Sequence, residues 1–203
     1  MSDKTINLYG KDYIEESICD IKFKVGANTF FQINPKSAEN IFKYVKDYIK
    51  TNFDNPTILD AYAGISAFGL VVSNVADKVV SVEENKFSVE LAKEVKKLNG
   101  IKNIELYCQD SEKFFEECVE TNKKFDIIIL DPPRKGCTEK TLEYGLKLAK
   151  SKIIYVSCNP STLARDLKYL IANGAKVEQP IKPFDMFCHT SHIENVAIIS
   201  MPS

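Results

Sequence analysis

Cys158 closes an apolar run and is followed by asparagine and proline, in Ile153-Ile154-Tyr155-Val156-Ser157-Cys158-Asn159-Pro160. Four apolar residues in succession predict a strand, Lys152–Val156, covered on both faces. Pro160 suits a first helical position, and Leu163, Leu167 and Leu170 recur at helical spacing. The cysteine therefore falls at the carboxyl end of a strand and beside a helix N-terminus, where open α/β sheets place their ligands. Unpaired N–H groups and the helix dipole favour a thiolate there, so a nucleophile is expected. The competing reading is a small buried apolar side chain.

Other reactive types recur at predicted strand ends. Asp60-Ala61-Tyr62-Ala63-Gly64-Ile65-Ser66 follows a strand, and a small turn with glycine lets a ligand approach the backbone. Glu83 ends the next strand about 20 residues later, where an acid can hold both hydroxyls of a ribose; a pair that merely caps the following helix is the alternative. Asp110 is placed either to reach an adenine amino group or to cap a helix, and the cap is favoured. Asp131-Pro132-Pro133-Arg134-Lys135-Gly136 makes a rigid loop with few donors. Asp131 is expected toward cofactor and substrate, with Arg134 and Lys135 toward phosphate. Near the end, His189 and His192 lie just before Glu194. Their spacing on an extended segment fits no common metal-ligand pattern, so no metal is expected. General-base chemistry by Glu194 is the better reading, against histidines that satisfy loop carbonyls.

Elements to position these residues follow from periodicity. Residues 1–20 are polar and mixed, and 21–33 read as a hairpin: Ile21 to Val25 alternates, Ala27-Asn28 turns and Thr29 to Ile33 returns. Ala38, Ile41, Phe42, Val45, Tyr48 and Ile49 stripe a helix to about residue 50. Beyond a linker, strands at Thr57–Ala61, Lys78–Val82, Asn103–Tyr107, Phe125–Leu130 and Lys152–Val156 alternate with helices at Ser66–Val75, Lys86–Leu98, Ser111–Glu120, Thr138–Ala149 and from Pro160. Ala175–Pro180 and Ile193–Met201 read as two final strands without a helix between them, which suggests a reversed edge strand. The expected class is α/β: a doubly wound, seven-stranded, Rossmann-like sheet of the methyltransferase plan with an N-terminal hairpin-plus-helix extension. Residues 1–55 form that extension, as part of the catalytic unit, and 56–203 the nucleotide-binding domain.

Composition narrows the class further. The 203 residues are 44% hydrophobic, with 27 basic and 28 acidic side chains and a net charge of −1. That balance argues against tight nonspecific nucleic-acid binding by the whole chain, though not against a local basic groove. No apolar run reaches the ~18 residues of a membrane helix and no signal peptide opens the chain. Six scattered cysteines without a CxxC pair read as a reduced, cytoplasmic protein without zinc or iron–sulfur cluster.

In combination these stretches resemble the RNA 5-methyluridine methyltransferases, which methylate carbon 5 of uracil in 23S rRNA and tRNA. The matching pieces are FFQIN (Phe30 to Asn34), LDAYAGIS (Leu59 to Ser66), SVE (Ser81 to Glu83), DPPRKG (Asp131 to Gly136), SCNPSTLARD (Ser157 to Asp166) and DMFCHTSHIE (Asp185 to Glu194), in the family's order. The second and third would occur in many methyltransferases; DPPRKG with SCNPSTLARD is specific, and the 23S rRNA branch looks closer than the tRNA branch. The resemblance implies S-adenosyl-L-methionine as cofactor, contacted by Gln32, Tyr62, Glu83 and Asp131. It implies that Cys158 adds to carbon 6 of the uracil and Glu194 removes the proton from carbon 5. Arg134, Lys135 and His189 become the expected substrate contacts, RNA the partner, and the enzyme a monomer without membrane or metal. The family's turn usually has a second glycine where Ser66 stands and a cysteine where Ala63 stands, and Cys188 replaces a usual proline. Family members usually carry an N-terminal RNA-binding TRAM barrel as well, so this chain is expected to be a catalytic part. An amino-nitrogen methyltransferase and a cofactor-binding module without turnover are the alternatives; the first needs no cysteine and normally has an aromatic where Arg134 stands.

Overall fold

The computed structural model describes residues 9–11, 13–26, 34–186, 189–190 and 193–202. Strands β1 (Tyr13–Ile18) and β2 (Ile21–Gly26) form an antiparallel hairpin. Its turn residues Cys19 and Asp20 have φ of 50° and 68°, the left-handed pair that a type I′ turn requires. The described partner of Ile21–Gly26 thus precedes it in the chain, a strand within residues 1–20, which the sequence reads only as polar and mixed. Cys-Asp lacks the glycine or asparagine that usually announces such a turn. The expected return strand Thr29–Ile33, and Gln32 within it, lie outside the described residues.

Helix α1 (Pro35–Asn52) starts at Asn34, whose side-chain oxygen accepts from the Ser37 amide at 3.2 Å, with proline in the first turn. Ala38, Ile41, Phe42, Val45 and Ile49 of its stripe are buried. They join one apolar cluster with Ile18 and Phe23 of the hairpin and Ile58, Val79, Ile127 and Ile154 of the main sheet. Each such large aliphatic or aromatic side chain contributes about 1.5–3 kcal/mol relative to exposure. The hairpin and α1 thus share the sheet's core instead of having their own. Asn99 adds a polar anchor: its amide accepts from the Lys22 N–H and donates to the Lys22 carbonyl, both at 2.9 Å.

The main sheet contains β3 (Thr57–Ala61), β4 (Lys78–Glu83), β5 (Ile104–Cys108), β6 (Phe125–Leu130) and β7 (Ala149–Ser157), parallel and in the order β5-β4-β3-β6-β7. Strand β10 (Glu194–Ser200) lies antiparallel against β7, and β8 (Lys176–Val177) and β9 (Lys182–Phe184) share the position beyond it. The expected strand Ala175–Pro180 is therefore split, since Pro180 has no N–H for the ladder. Helices α2 (Ala67–Val72, prolonged by a 3-10 turn at Ser73–Val75), α3 (Lys86–Leu98), α4 (Ser111–Glu120), α5 (Glu139–Leu148) and α6 (Pro160–Ala172) cover the two faces. Alternation along β6 feeds both: Ile127 and Ile129 enter one cluster, Ile128 and Leu130 the other. The order reverses at β3, so a crevice opens between the carboxyl ends of β3 and β6. No helix among the described residues is long and apolar enough to cross a membrane.

Candidate active site

A cavity of about 580 Å³ occupies that crevice and collects Tyr62, Gly64, Glu83, Asp131, Arg134, Cys158 and Glu194 on its wall. Four parallel strands deliver their ends to it. Glu83 is the last residue of β4, Tyr62 follows β3, Asp131 follows β6 and Cys158 follows β7. Glu194 comes from the opposite chain direction, as the first residue of antiparallel β10. The last pair of the β7–β10 ladder is Asn195 with Ser157, so Glu194 and Cys158 are the next residues beyond it on the two chains, and both reach the cavity.

Charge in the cavity is one-sided. Glu83, Glu84, Asp131 and Glu194 line it, against Arg134. Burial pushes Glu194 up to about 7, with the Arg134 guanidinium pulling the other way. Burial also holds the Asp131 carboxyl well above the usual range, reinforced by Glu194 and Asp60. The Cys158 thiol is raised as well, first by burial and then by Glu194 and Asp131, while Arg134 and its own backbone N–H act in the opposite sense. Desolvation, and after it the two acidic neighbours, thus oppose the thiolate expected from the helix N-terminus, and a cationic ligand in the cavity would offset them.

The turn after β3 is built around two acids. Glu83 Oε2 accepts from the Gly64 N–H at 2.9 Å and Oε1 from the Asn85 N–H at 2.8 Å. Gly64 has φ 54°, and no heavy atom lies within 4 Å of where a Cβ would stand, so the backbone is open to a ligand. Asp60 is fully buried beneath the turn. Its Oδ2 accepts from the Gly69 N–H at 2.9 Å and from Ser81 Oγ at 3.2 Å, while Oδ1 is buried without a partner. Burial pushes this carboxyl up to about 7. Ser66 stands at φ 60°, which explains why a glycine is usual there, and its hydroxyl bonds Ser81 Oγ at 2.7 Å. Tyr62 is also left-handed, at φ 58°. Its N–H donates to Ser111 Oγ at 3.2 Å, its hydroxyl lies 3.4 Å from Thr141 Oγ1, and burial raises the phenol.

Three expected site residues stand apart. Asp110 is the cap of α4, accepting from the Lys113 N–H at 3.0 Å, and is absent from the described cavity wall. Lys135 and His189 are exposed and likewise absent from that wall. Among the described residues no group of three or more His, Cys, Asp or Glu is arranged to hold a metal ion. Sequence reasoning passed over Ile18, Phe42 and Phe68, which form the cavity's apolar side. Nothing in their local pattern separates them from core residues. It also passed over Asp60, whose signal was available: a lone acid inside an otherwise apolar strand.

The cavity suits the nucleoside cofactor implied by the sequence. Glu83 is placed for a ribose diol, Gly64 and Tyr62 bound the adjoining space, and the acidic surplus suits a ligand with a positive centre. A profile described as tRNA (uracil-5-)-methyltransferase matches residues 2–201. The chain belongs to that family. An RNA methyltransferase of Clostridium tetani, described as uncharacterized, is 42% identical over 194 residues, which are 96% of this chain and 41% of that protein. One of Clostridium acetobutylicum is 42% identical over 197 residues, 97% of this chain and 42% of that protein. The chain thus spans less than half the length of these relatives. Among solved structures, the tRNA (uracil-54, C5)-methyltransferase of Pyrococcus abyssi, in complex with S-adenosyl-L-homocysteine, superposes with a TM-score of 0.79 at 30% identity, over 98% of this chain and 48% of that one.

Proposed function

We propose that this chain is the catalytic part of an enzyme that methylates carbon 5 of a uridine in RNA. The observation that carries the reading is Glu194 and Cys158 brought together at the end of the β7–β10 ladder, on the wall of one cavity. A thiol and a facing carboxylate with an affinity for protons near neutrality are the two groups this reaction needs. Carbon 5 of uracil is a poor nucleophile, so the Cys158 thiol gives up its proton to water and its sulfur bonds to carbon 6, while the carbon 5–carbon 6 double bond opens and leaves carbon 5 electron-rich. S-adenosyl-L-methionine, held by Tyr62, Glu83 and Asp131, supplies the methyl group that carbon 5 receives. Glu194 then takes the proton from carbon 5, and the sulfur–carbon 6 bond breaks to restore Cys158 and the ring double bond. Arg134 lies on the same wall and is suited to the uracil carbonyls or a phosphate. The target uridine must leave its stack to reach a cysteine in a cavity.

The test is mass spectrometry of the protein with S-adenosyl-L-methionine and RNA containing 5-fluorouridine, in separate arms with 23S rRNA segments and tRNA. Fluorine cannot leave as a proton, so a covalent adduct on Cys158 is expected, and Cys158→Ala loses it. Methylation that survives Cys158→Ala would refute the mechanism and favour attack by a substrate nitrogen. The preference for 23S rRNA rests on the motif resemblance, and adduct formation with tRNA alone would overturn it.

A further inference from the structure

The loop after β6 has few bonds of its own. Pro132 and Pro133 lack an N–H, and the Gly136 N–H bonds the Pro133 carbonyl at 2.8 Å to close a turn. Three further carbonyls, those of Arg134, Lys135 and Cys137, are received by α6 and its cap residue. Asn159 Nδ2 and Thr162 Oγ1 donate to the Arg134 carbonyl at 3.2 and 3.3 Å. Arg165 Nη2 donates to the carbonyls of Lys135 at 2.9 Å and Cys137 at 3.1 Å. Asp166, 1% exposed, accepts on Oδ2 from the Cys137 N–H at 2.9 Å and the Tyr155 hydroxyl at 2.6 Å, and on Oδ1 from Arg165 Nε at 2.8 Å. Gly136 has φ 73°, and a Cβ there would lie 2.6 Å from Asp166 Oδ2 and 2.7 Å from Arg165 Nη2. The loop therefore sits against this pair at a distance only glycine allows.

We propose that Arg165 and Asp166 are positioning residues that clamp the Asp131–Cys137 loop to α6 and so fix Asp131 and Arg134 relative to Cys158. The inference rests on the function proposed above. Neither residue is on the described cavity wall, so they act through the loop and not on the reactants. Three segments meet on one buried carboxylate: β7 through Tyr155, the loop through the Cys137 amide, and α6 itself. Strand β7 ends beside Cys158 and α6 begins just after it, while the loop bears Asp131 and Arg134. One carboxylate thus ties the nucleophile's strand to the opposing wall of the cavity. A displacement of about 1 Å between such groups costs on the order of 100-fold in rate.

The Arg165 side chain is 57% exposed, so Arg165→Met removes the clamp without opening the core. Three measurements on the full chain are compared with wild type: amide hydrogen exchange at Gly136 and Cys137, the rate of 5-fluorouridine adduct formation, and S-adenosyl-L-homocysteine affinity with melting temperature. Expected for Arg165→Met are exchange at Cys137 faster by at least roughly tenfold, adduct formation slower by roughly 10- to 100-fold, affinity within about threefold, and melting lower by roughly 3–10 °C because buried Asp166 loses its cationic partner, with rates compared well below both melting temperatures. Arg165→Lys should recover part of the rate, since an ammonium reaches one carbonyl but cannot span two and a carboxylate. Asp166→Asn should accelerate exchange in the same two amides. Wild-type exchange and adduct rates in Arg165→Met would overturn the proposal. A loss of rate that merely parallels a loss of melting temperature would make the pair structural and overturn it too. If wild type forms no adduct, the functional reading fails, and the exchange measurement still decides the clamp: unchanged exchange refutes it, and faster exchange supports it.

Discussion

Replacing Glu194 by glutamine is expected to make the ligand-free protein more stable at alkaline pH while stopping the reaction. The carboxyl is buried at the head of β10 and pushed up from the usual 4.5 to about 7. A folded state that prefers the protonated acid has that preference in full below pH 4.5 and loses it as pH rises through about 7. At roughly 1.4 kcal/mol per pH unit, the ionised side chain costs the folded protein about 3 kcal/mol above pH 7. Glutamine mimics the protonated acid and cannot ionise. Glu194→Gln should therefore match wild type near pH 4 and exceed it by up to about 3 kcal/mol at pH 8, which is roughly 6–12 °C in melting temperature for a chain of this size. Relief of Asp131, which feels the Glu194 charge, acts in the same direction. The assay is urea denaturation of both proteins at several pH values between 4 and 8, without cofactor. A stability difference that does not change with pH, or a glutamine variant weaker at pH 8, refutes the electrostatic account. With unsubstituted RNA and cofactor, the same variant should accumulate a methylated adduct on Cys158, because the proton at carbon 5 has no acceptor.

Gly69→Ala should destabilise by about 1–3 kcal/mol and weaken cofactor binding, because its Cβ would lie 2.4 Å from Ser81 Oγ and 2.9 Å from Asp60 Oδ2; calorimetric titration with S-adenosyl-L-homocysteine checks it. Ser66→Ala keeps the left-handed backbone at φ 60° and loses the bond to Ser81. It should be less stable than Ser66→Gly by about 1 kcal/mol, read from denaturation midpoints. Asn99→Ala removes both bonds to Lys22 and should cost about 1 kcal/mol, with faster amide exchange over Tyr13–Gly26.

Much of the sheet could be read from the chain because its central strands are short and mainly apolar on both faces. FDIIIL and KIIYV have nowhere to go but a covered parallel sheet, and glycine, asparagine and proline mark their ends. The hairpin of β1 and β2 was not visible because its turn rests on Cys19 and Asp20, types that do not advertise a left-handed backbone. Cys158, Glu194, Glu83 and Asp131 were visible because reactive types stood at strand ends. Their protonation was not visible, since the Cys158 thiol is raised first by burial and then by Glu194 and Asp131, all of which arise only on folding. The Arg165–Asp166 clamp was hidden for a similar reason. Its spacing from Cys158 reads as an ordinary exposed turn of α6 until the loop is laid against it.

The reversal of the last strand is what makes the site possible. In a wholly parallel sheet, each strand offers its carboxyl end to the crevice, and the residue at its start lies on the far edge. A parallel β10 would put Glu194 away from Cys158 by the length of Glu194–Ser200, a seven-residue strand, or roughly 20 Å at about 3.3 Å per residue. Running β10 antiparallel brings its first residue to the same edge as Cys158, each one residue beyond the last ladder pair, Asn195 with Ser157. The buried ladder of β7 and β10 thereby limits their separation. An insertion of one residue in β10 would turn the carboxylate to the other face. The acid at this position is accordingly set by sheet topology, and its cost to stability is the consequence of holding a carboxyl group where water is excluded.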